Sequence, residues 1–228
     1  MCGLAGIFLT TARSEIDRAL LERMNLSQLH RGPDEDGFHT EPGVGLAHRR
    51  LSIIDLSSGQ QPLYNEDGSV VVVYNGEIYN FSALAKELTA LGHTFRTHCD
   101  TEVIVHAWEE WGDSCVTRFR GMFAFALWDR NRETLFLARD RLGIKPLFYT
   151  LLPSGELVFA SELKAIKQHP SLDRSIDDRA VEEYFALGYV PEPRSIYRNT
   201  FKLRPGHTLK VKHGDTELQQ RQYWDVPF

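Results

Sequence analysis

Hydrophobic residues fall into two patterns along this chain. Unbroken apolar runs, Val70-Val71-Val72-Val73 and Met122 to Trp128, alternate with segments in which apolar positions recur every three or four residues. The first pattern predicts strands buried on both faces and the second predicts helices with one buried face. Cys2 to Leu9 reads as a strand, after which Ser14 offers a cap for a helix carrying Ile16, Leu20, Leu21 and Met24 on one side. Strands are predicted over Val44 to Ile54 and Ser69 to Tyr74, separated by turn chemistry at Ser57-Ser58-Gly59 and at Asn65 to Gly68. A helix follows from Phe81 to Leu91, capped by Asn80 and closed by Gly92. A further helix after Asp100 carries Ile104, Ala107, Trp108 and Trp111 on one stripe and stops at Gly112. Four short runs, Gly121 to Asp129, Thr134 to Arg139, Pro146 to Leu152 and Leu157 to Ser161, suggest an antiparallel meander. A helix from Asp177 to Leu187 ends at Gly188, and Pro191, Pro193 and Pro205 punctuate a less regular tail.

Several strands therefore need cover on both faces, while the helices are few and amphipathic. Two antiparallel sheets stacked face to face with helices outside meet both demands, a four-layer α-β-β-α sandwich of the α+β class.

Composition narrows the setting. With 228 residues, 42% of them hydrophobic, one compact domain plus a tail is expected, its boundary near residue 213 and residues 214–228 forming a tail or linker. A net charge of −5 with scattered Lys and Arg leaves no basic footprint for nucleic acid or an anionic membrane. Partners are expected among small molecules and proteins, and pairing with a second copy is compatible with the sequence. Three cysteines, Cys2, Cys99 and Cys115, make no disulfide framework and fit a reducing cytoplasm. Neither a membrane span nor a secretory signal pattern occurs.

The candidate chemistry begins at the amino terminus. Removal of Met1 makes Cys2 the first residue, with an α-amine beside its thiol. A thiol of pKa about 8.5 is only about 3% thiolate at neutral pH, and an amine of pKa about 7.7 to 8.0 is a tethered general base for it. A retained Met1 blocks that amine. The alternative is a small, inert cysteine. In Tyr74 to Asn80, Asn75-Gly76 reads as a two-residue hairpin turn, and the same pair supplies two donors for a developing oxyanion. Glu77 beside it is a solvated charge or a hydrogen-bond acceptor for substrate.

Arg49 and Arg50 lie in a predicted strand and so point to opposite faces, one of them inward toward a carboxylate or both as surface ion pairs. Asp100 reads as a helix cap or a ligand for a cation. The polar segment His30 to Gly37 is either a connector or a loop on the substrate side. His98, Cys99 and His106 match no structural-zinc spacing, and no metal is expected. Nucleophile-elbow, phosphate-loop and H-E-x-x-H patterns do not occur.

Taken together, MCGLAGIF, HRGPDEDG, HRRLSIID, QQPLYN, YNGEIYN, DTEVIV, GMFAFALWD, ARDRLGIKPLFY and ASELKAI resemble the glutaminase domain of glutamine-dependent asparagine synthetases. These are class II amidotransferases with the N-terminal-nucleophile hydrolase sandwich. The resemblance implies that Cys2 attacks the δ-amide of L-glutamine and that Asn75 and the Gly76 amide form the oxyanion hole. It implies that Arg50 holds the substrate α-carboxylate and Asp100 its α-ammonium, with Leu51, Ile53, Ile54 and Glu77 completing the pocket. It also implies that the ammonia goes to an ATP-dependent synthetase domain. No cofactor is expected for the glutaminase reaction; ATP and Mg²⁺ belong to that second domain, whose S-G-G-x-D-type loop does not occur in this sequence. Two alternatives stay open: a class II amidotransferase with a different acceptor, or a non-catalytic regulatory domain that binds glutamine.

Overall fold

The computed structural model describes residues 1–52 and 59–226, and among them twelve strands and six α-helices form. The first half runs β1 (Gly3–Leu9), α1 (Arg18–Leu26), β2 (Glu35–Glu41), β3 (Val44–Arg50), β4 (Leu63–Tyr64), β5 (Val70–Ile78), α2 (Phe81–Ala90) and α3 (Glu102–Trp111). After a 3₁₀ turn come α4 (Cys115–Arg118), β6 (Gly121–Asp129), β7 (Thr134–Arg139), β8 (Phe148–Leu151) and β9 (Glu156–Ala160). The chain closes with α5 (Leu163–Ile166), α6 (Asp178–Leu187), β10 (Phe201–Lys202), β11 (His207–Lys212) and β12 (Gln219–Gln222).

The strands divide into two six-stranded sheets, ordered β10-β8-β9-β1-β3-β2 and β12-β11-β7-β6-β5-β4, and the pairings within them are antiparallel. Side chains alternate between faces with a period of two, which explains the unbroken apolar runs. On β5, Val71 and Val73 enter the core between the sheets, while Val70, Val72 and Tyr74 face the layer of α2 and α3. On β6, Ala124, Ala126 and Trp128 point between the sheets, and Phe123, Phe125 and Leu127 point toward the helices. On β1, Leu4 and Phe8 join the inter-sheet core, and Ala5, Ile7 and Leu9 pack with Leu20, Leu21 and Met24 of α1 and Ile166 of α5. Each large side chain taken wholly out of water in these layers contributes about 1.5 to 3 kcal/mol. Three apolar layers separate four layers of secondary structure, so the sandwich expected from the hydrophobic pattern is the observed architecture.

Local details differ from the expectations, and the four runs expected to form one antiparallel meander divide between the sheets, β6 and β7 in one and β8 and β9 in the other. Helix α1 is capped by Asp17, whose Oδ1 accepts from the Leu20 N–H at 3.0 Å; Ser14 instead accepts from the Gly43 N–H through its backbone carbonyl. Asn80 stands before α2 but does not cap it: its Oδ1 accepts from the Arg120 N–H and its Nδ2 donates to the Arg118 carbonyl. Glu35, Asp36 and Gly37, read as loop, begin the edge strand β2 in register with β3. Residues 219–222 of the expected tail pair with β11, and the Tyr223 hydroxyl donates to the Arg139 carbonyl at 2.8 Å. The last part of the strand expected to reach Ile54, and Ser57-Ser58 of the following turn, lie outside the described residues.

Candidate active site

At the carboxyl end of β5 and the start of β1 the two sheets part around a cavity of about 220 Å³, the share of roughly seven waters in the liquid. Cys2, Arg50, Leu51, Asn75, Gly76, Glu77 and Asp100 all line it. Seven of the residues singled out from the sequence thus meet around one space. Ile53 and Ile54, the two others, lie outside the described residues.

Cys2 precedes β1, and its position is fixed from both sides. The Arg31 Nε donates to the Cys2 carbonyl at 2.9 Å and its Nη1 to Glu162 Oε1 at 3.0 Å. The sulfur receives the Leu51 N–H at 3.4 Å and faces the Leu51 carbonyl at 3.8 Å. Burial pushes the thiol above its ordinary pKa, against the opposing pull of the Leu51 N–H, the positive chain terminus, Arg50 and Lys145. A thiol in this setting needs a base to take its proton. Arg31 belongs to the polar segment His30 to Gly37, which borders the site: the Asp34 Oδ2 also accepts from the Ser52 N–H at 2.8 Å.

Asn75 and Gly76 are strand residues, which corrects the hairpin-turn reading. They pair with Ala124 and Phe123 of β6, β5 continues to Ile78, and neither has the positive φ that a type I′ turn demands. The glycine serves close approach. A Cβ at position 76 meets the Met122 carbonyl oxygen at 2.4 Å and the Phe123 Cα at 2.8 Å. The N–H of Tyr74 donates to Gln61 Oε1 at 2.6 Å and its carbonyl accepts from Gln61 Nε2, on the edge away from β6; four residues on, the Ile78 N–H reaches Asp100 Oδ2 at 2.8 Å. Strand periodicity places the Gly76 N–H on that same edge, beyond the end of β4 and toward the cavity. Beside it the Asn75 side chain is buried, and its Nδ2 has no acceptor among the described residues. Asn75 and Gly76 both line the space that Cys2 borders.

Charged groups occupy the far side. Of the two neighbouring arginines it is Arg50 that turns inward, buried and bonded through Nη1 to Glu35 Oε2 at 2.8 Å. Asp100 does not cap α3. Its Oδ2 accepts from the Tyr74 hydroxyl at 2.6 Å as well as from Ile78, which fixes the carboxylate at the cavity wall. Burial raises its pKa against those two hydrogen bonds. Burial, with the nearby Asp100 charge, keeps Tyr74 a phenol. Beneath the site the buried His48 Nε2 donates to the Tyr74 carbonyl at 2.9 Å, bridging the two sheets, and desolvation lowers its pKa to about 3.

Gln61, Met122 and Lys145 also line the cavity and were not singled out from the sequence; Cys99, weighed there only as a metal ligand, lines it too. Lys145 is presented by a loop clamped on Asp140, which accepts the N–H groups of Leu142, Ile144 and Lys145. A lone lysine in GIKPLFY carries no local signal that it lines a cavity.

Comparison with known proteins identifies the family. A profile of the family described as glutamine amidotransferase domain matches residues 1–224. Asparagine synthetase (glutamine-hydrolyzing) 2 of Bacillus subtilis is 44% identical over 233 residues, covering 99% of this chain and 31% of that protein. Asparagine synthetase (glutamine-hydrolyzing) 1 of the same organism is 38% identical over 230 residues, covering 100% of this chain and 36% of that protein. The chain spans about a third of the length of these relatives. Among solved structures, the glutamine phosphoribosylpyrophosphate amidotransferase of B. subtilis, complexed with ADP and GMP, aligns with a TM-score of 0.67 at 18% identity. That alignment covers 98% of this chain and 49% of the other, a likeness of fold.

Proposed function

The chain belongs to the glutamine amidotransferase domain family, and from that membership we propose that it hydrolyses L-glutamine to glutamate and ammonia through a thioester on Cys2. The observation that carries the reading is that Cys2, Asn75, Gly76, Arg50 and Asp100 line one cavity, the buried Asn75 Nδ2 having no acceptor among the described residues.

Once Met1 is excised, the Cys2 α-amine takes the thiol proton, directly or through a water, and the thiolate attacks the glutamine δ-carbon. Charge then develops on the former amide oxygen. Donors already in place for that oxygen need no reorganisation as the charge forms, and one such donor contributes about 2.7 to 4 kcal/mol to lowering the barrier. The ammonium form of the amine returns the proton to the departing ammonia, the thioester remains, and water releases glutamate. Lys145 and Arg50, both positive and close enough to lower the Cys2 pKa, favour the thiolate against its burial.

The rest of the cavity suits the zwitterionic end of the substrate. Arg50 receives the α-carboxylate, its plane set by the ion pair with Glu35. Asp100 receives the α-ammonium, and a positive partner offsets the burial that raises its pKa. Glu77 and the backbone at Leu51 complete the enclosure. The ammonia passes to an ATP- and Mg²⁺-dependent domain that amidates a carboxylate, as the names of the relatives indicate for asparagine. Cys2, Cys99 and Cys115 are all free thiols, and among the described residues no helix is long and apolar enough to cross a membrane. The free thiols fit a reducing cytoplasm.

The test uses protein with a verified Cys2 amino terminus, incubated with glutamine while glutamate release is followed. Turnover is expected. Glutamine that raises Tm without being hydrolysed turns the domain into a regulatory sensor, and the loss of both responses rejects the site.

A further inference from the structure

A second cluster of ionisable groups lies outside the cavity. Glu66 follows β4, His93 follows α2, and His106 and Glu109 sit three residues apart on α3, hence on one face. One ligand atom from each of the four lies within 4.8 Å of all the others. The His106 Nδ1 is 3.3 Å from Glu109 Oε2 and 3.5 Å from Glu66 Oε2; the His93 Nδ1 is 3.8 Å from Glu109 Oε2. Four ligands about 2.0 to 2.1 Å from a tetrahedral zinc ion are about 3.4 Å apart, so these separations need only small adjustments.

The remaining oxygen of each carboxylate is held by an outer group, and each remaining imidazole nitrogen faces a further carboxylate. The Glu66 Oε1 accepts from the Thr94 N–H at 3.0 Å, and the Glu109 Oε1 accepts from the Asn65 Nδ2 at 2.7 Å. The His106 Nε2 faces Glu102 Oε1 at 3.6 Å, and the His93 Nε2 faces Glu110 Oε2 at 3.5 Å. Glu102 is itself fixed by the N–H groups of Arg96 and Thr97 and by the Thr97 hydroxyl. A carboxylate thus stands behind each imidazole on the side away from the cluster, as outer-shell groups do behind histidine metal ligands. His106 is 1% exposed, and the other three side chains form a partly open rim.

We propose that Glu66, His93, His106 and Glu109 bind one divalent transition-metal ion, zinc by preference. Two imidazoles and two carboxylates suit it, and the carboxylates neutralise its charge. The site ties together the segment after β4, the segment after α2 and the second half of α3. The spacing of His98, Cys99 and His106 gave no reason to expect a metal, and the proposed site uses a different set: His106 meets His93, which no spacing pattern had joined to it.

Zinc chloride is titrated calorimetrically into the metal-stripped Cys2→Ala chain, which removes the reactive thiol from competition. One zinc per chain and a higher Tm are expected. His93→Ala and Glu109→Gln should each weaken binding at least roughly a hundredfold, and Glu110→Gln by about tenfold to a hundredfold. Cobalt(II) should give the spectrum of a tetrahedral nitrogen and oxygen site. No saturable binding, zinc affinity unchanged in both ligand variants, or a thiolate-to-cobalt charge-transfer band overturns the proposal. The readout is binding, so failure leaves the glutaminase reading intact.

Discussion

The Cys2 cavity and the Glu66–Glu109 cluster are both built from ionisable side chains beside α3, yet they treat charge in opposite ways. In the cavity, burial wins: the thiol of Cys2, the carboxyl of Asp100 and the phenol of Tyr74 are all pushed up, and His48 falls to about 3. In the cluster, partners win: Glu102 falls to about 2 and His106 rises to about 9, although burial opposes both shifts. Groups in the cluster compensate one another within the chain. Those in the cavity are compensated only in part, which suits a pocket that receives a zwitterion and an oxyanion.

The sharpest way to break that contrast is Cys2→Ala, expected to abolish glutamate release while leaving Tm nearly unchanged; residual turnover would place the nucleophile elsewhere. Asn75→Ala should lower kcat and kcat/KM together by roughly a hundredfold, about 3 kcal/mol, if its amide meets charge only in the transition state. On the cluster side the effect should move to stability. Glu102→Ala strips three hydrogen bonds from Arg96 and Thr97 and should cost about 2 to 3 kcal/mol in a denaturant titration, with kcat unaltered. Arg50→Lys should chiefly raise KM, because a contact to the α-carboxylate binds ground and transition states alike. A kcat effect without a KM effect would give Arg50 another role.

His48 supplies a pH test. Its folded pKa is lowered below the unfolded value near 6.5, so the stability it contributes is present above that value and is lost as pH falls toward about 3. His48→Gln keeps a donor for the Tyr74 carbonyl and should flatten the acid-induced loss of Tm across that window. An unchanged profile removes His48 from the acid transition.

Much of this was legible in the sequence where burial leaves a pattern. The runs at Val70 to Val73 and Met122 to Trp128 demanded cover on both faces, and the layered architecture follows from that demand. Strand β2 was illegible because it is an edge: Glu35, Asp36 and Gly37 satisfy the ladder with β3 while most of their side chains meet solvent. Asn75-Gly76 misled because one dipeptide serves two backbones. A glycine required by close approach to β6 looks the same in sequence as a glycine required by a turn. Asp100 misled similarly, since an aspartate just before a helix usually caps it, whereas here the tertiary partners Tyr74 and Ile78 take the carboxylate. His93 and Lys145 gave no sign because their partners lie on other elements, brought near only by the fold.

The amino terminus carries one last consequence. Chain ends are usually the loosest part of a domain, but here Arg31 grips the Cys2 carbonyl and β1 lies inside its sheet, between β9 and β3. Met1, by contrast, is 59% exposed. Met1 takes part in no strand pairing, so loss of that residue leaves every hydrogen bond of β1 in its sheet.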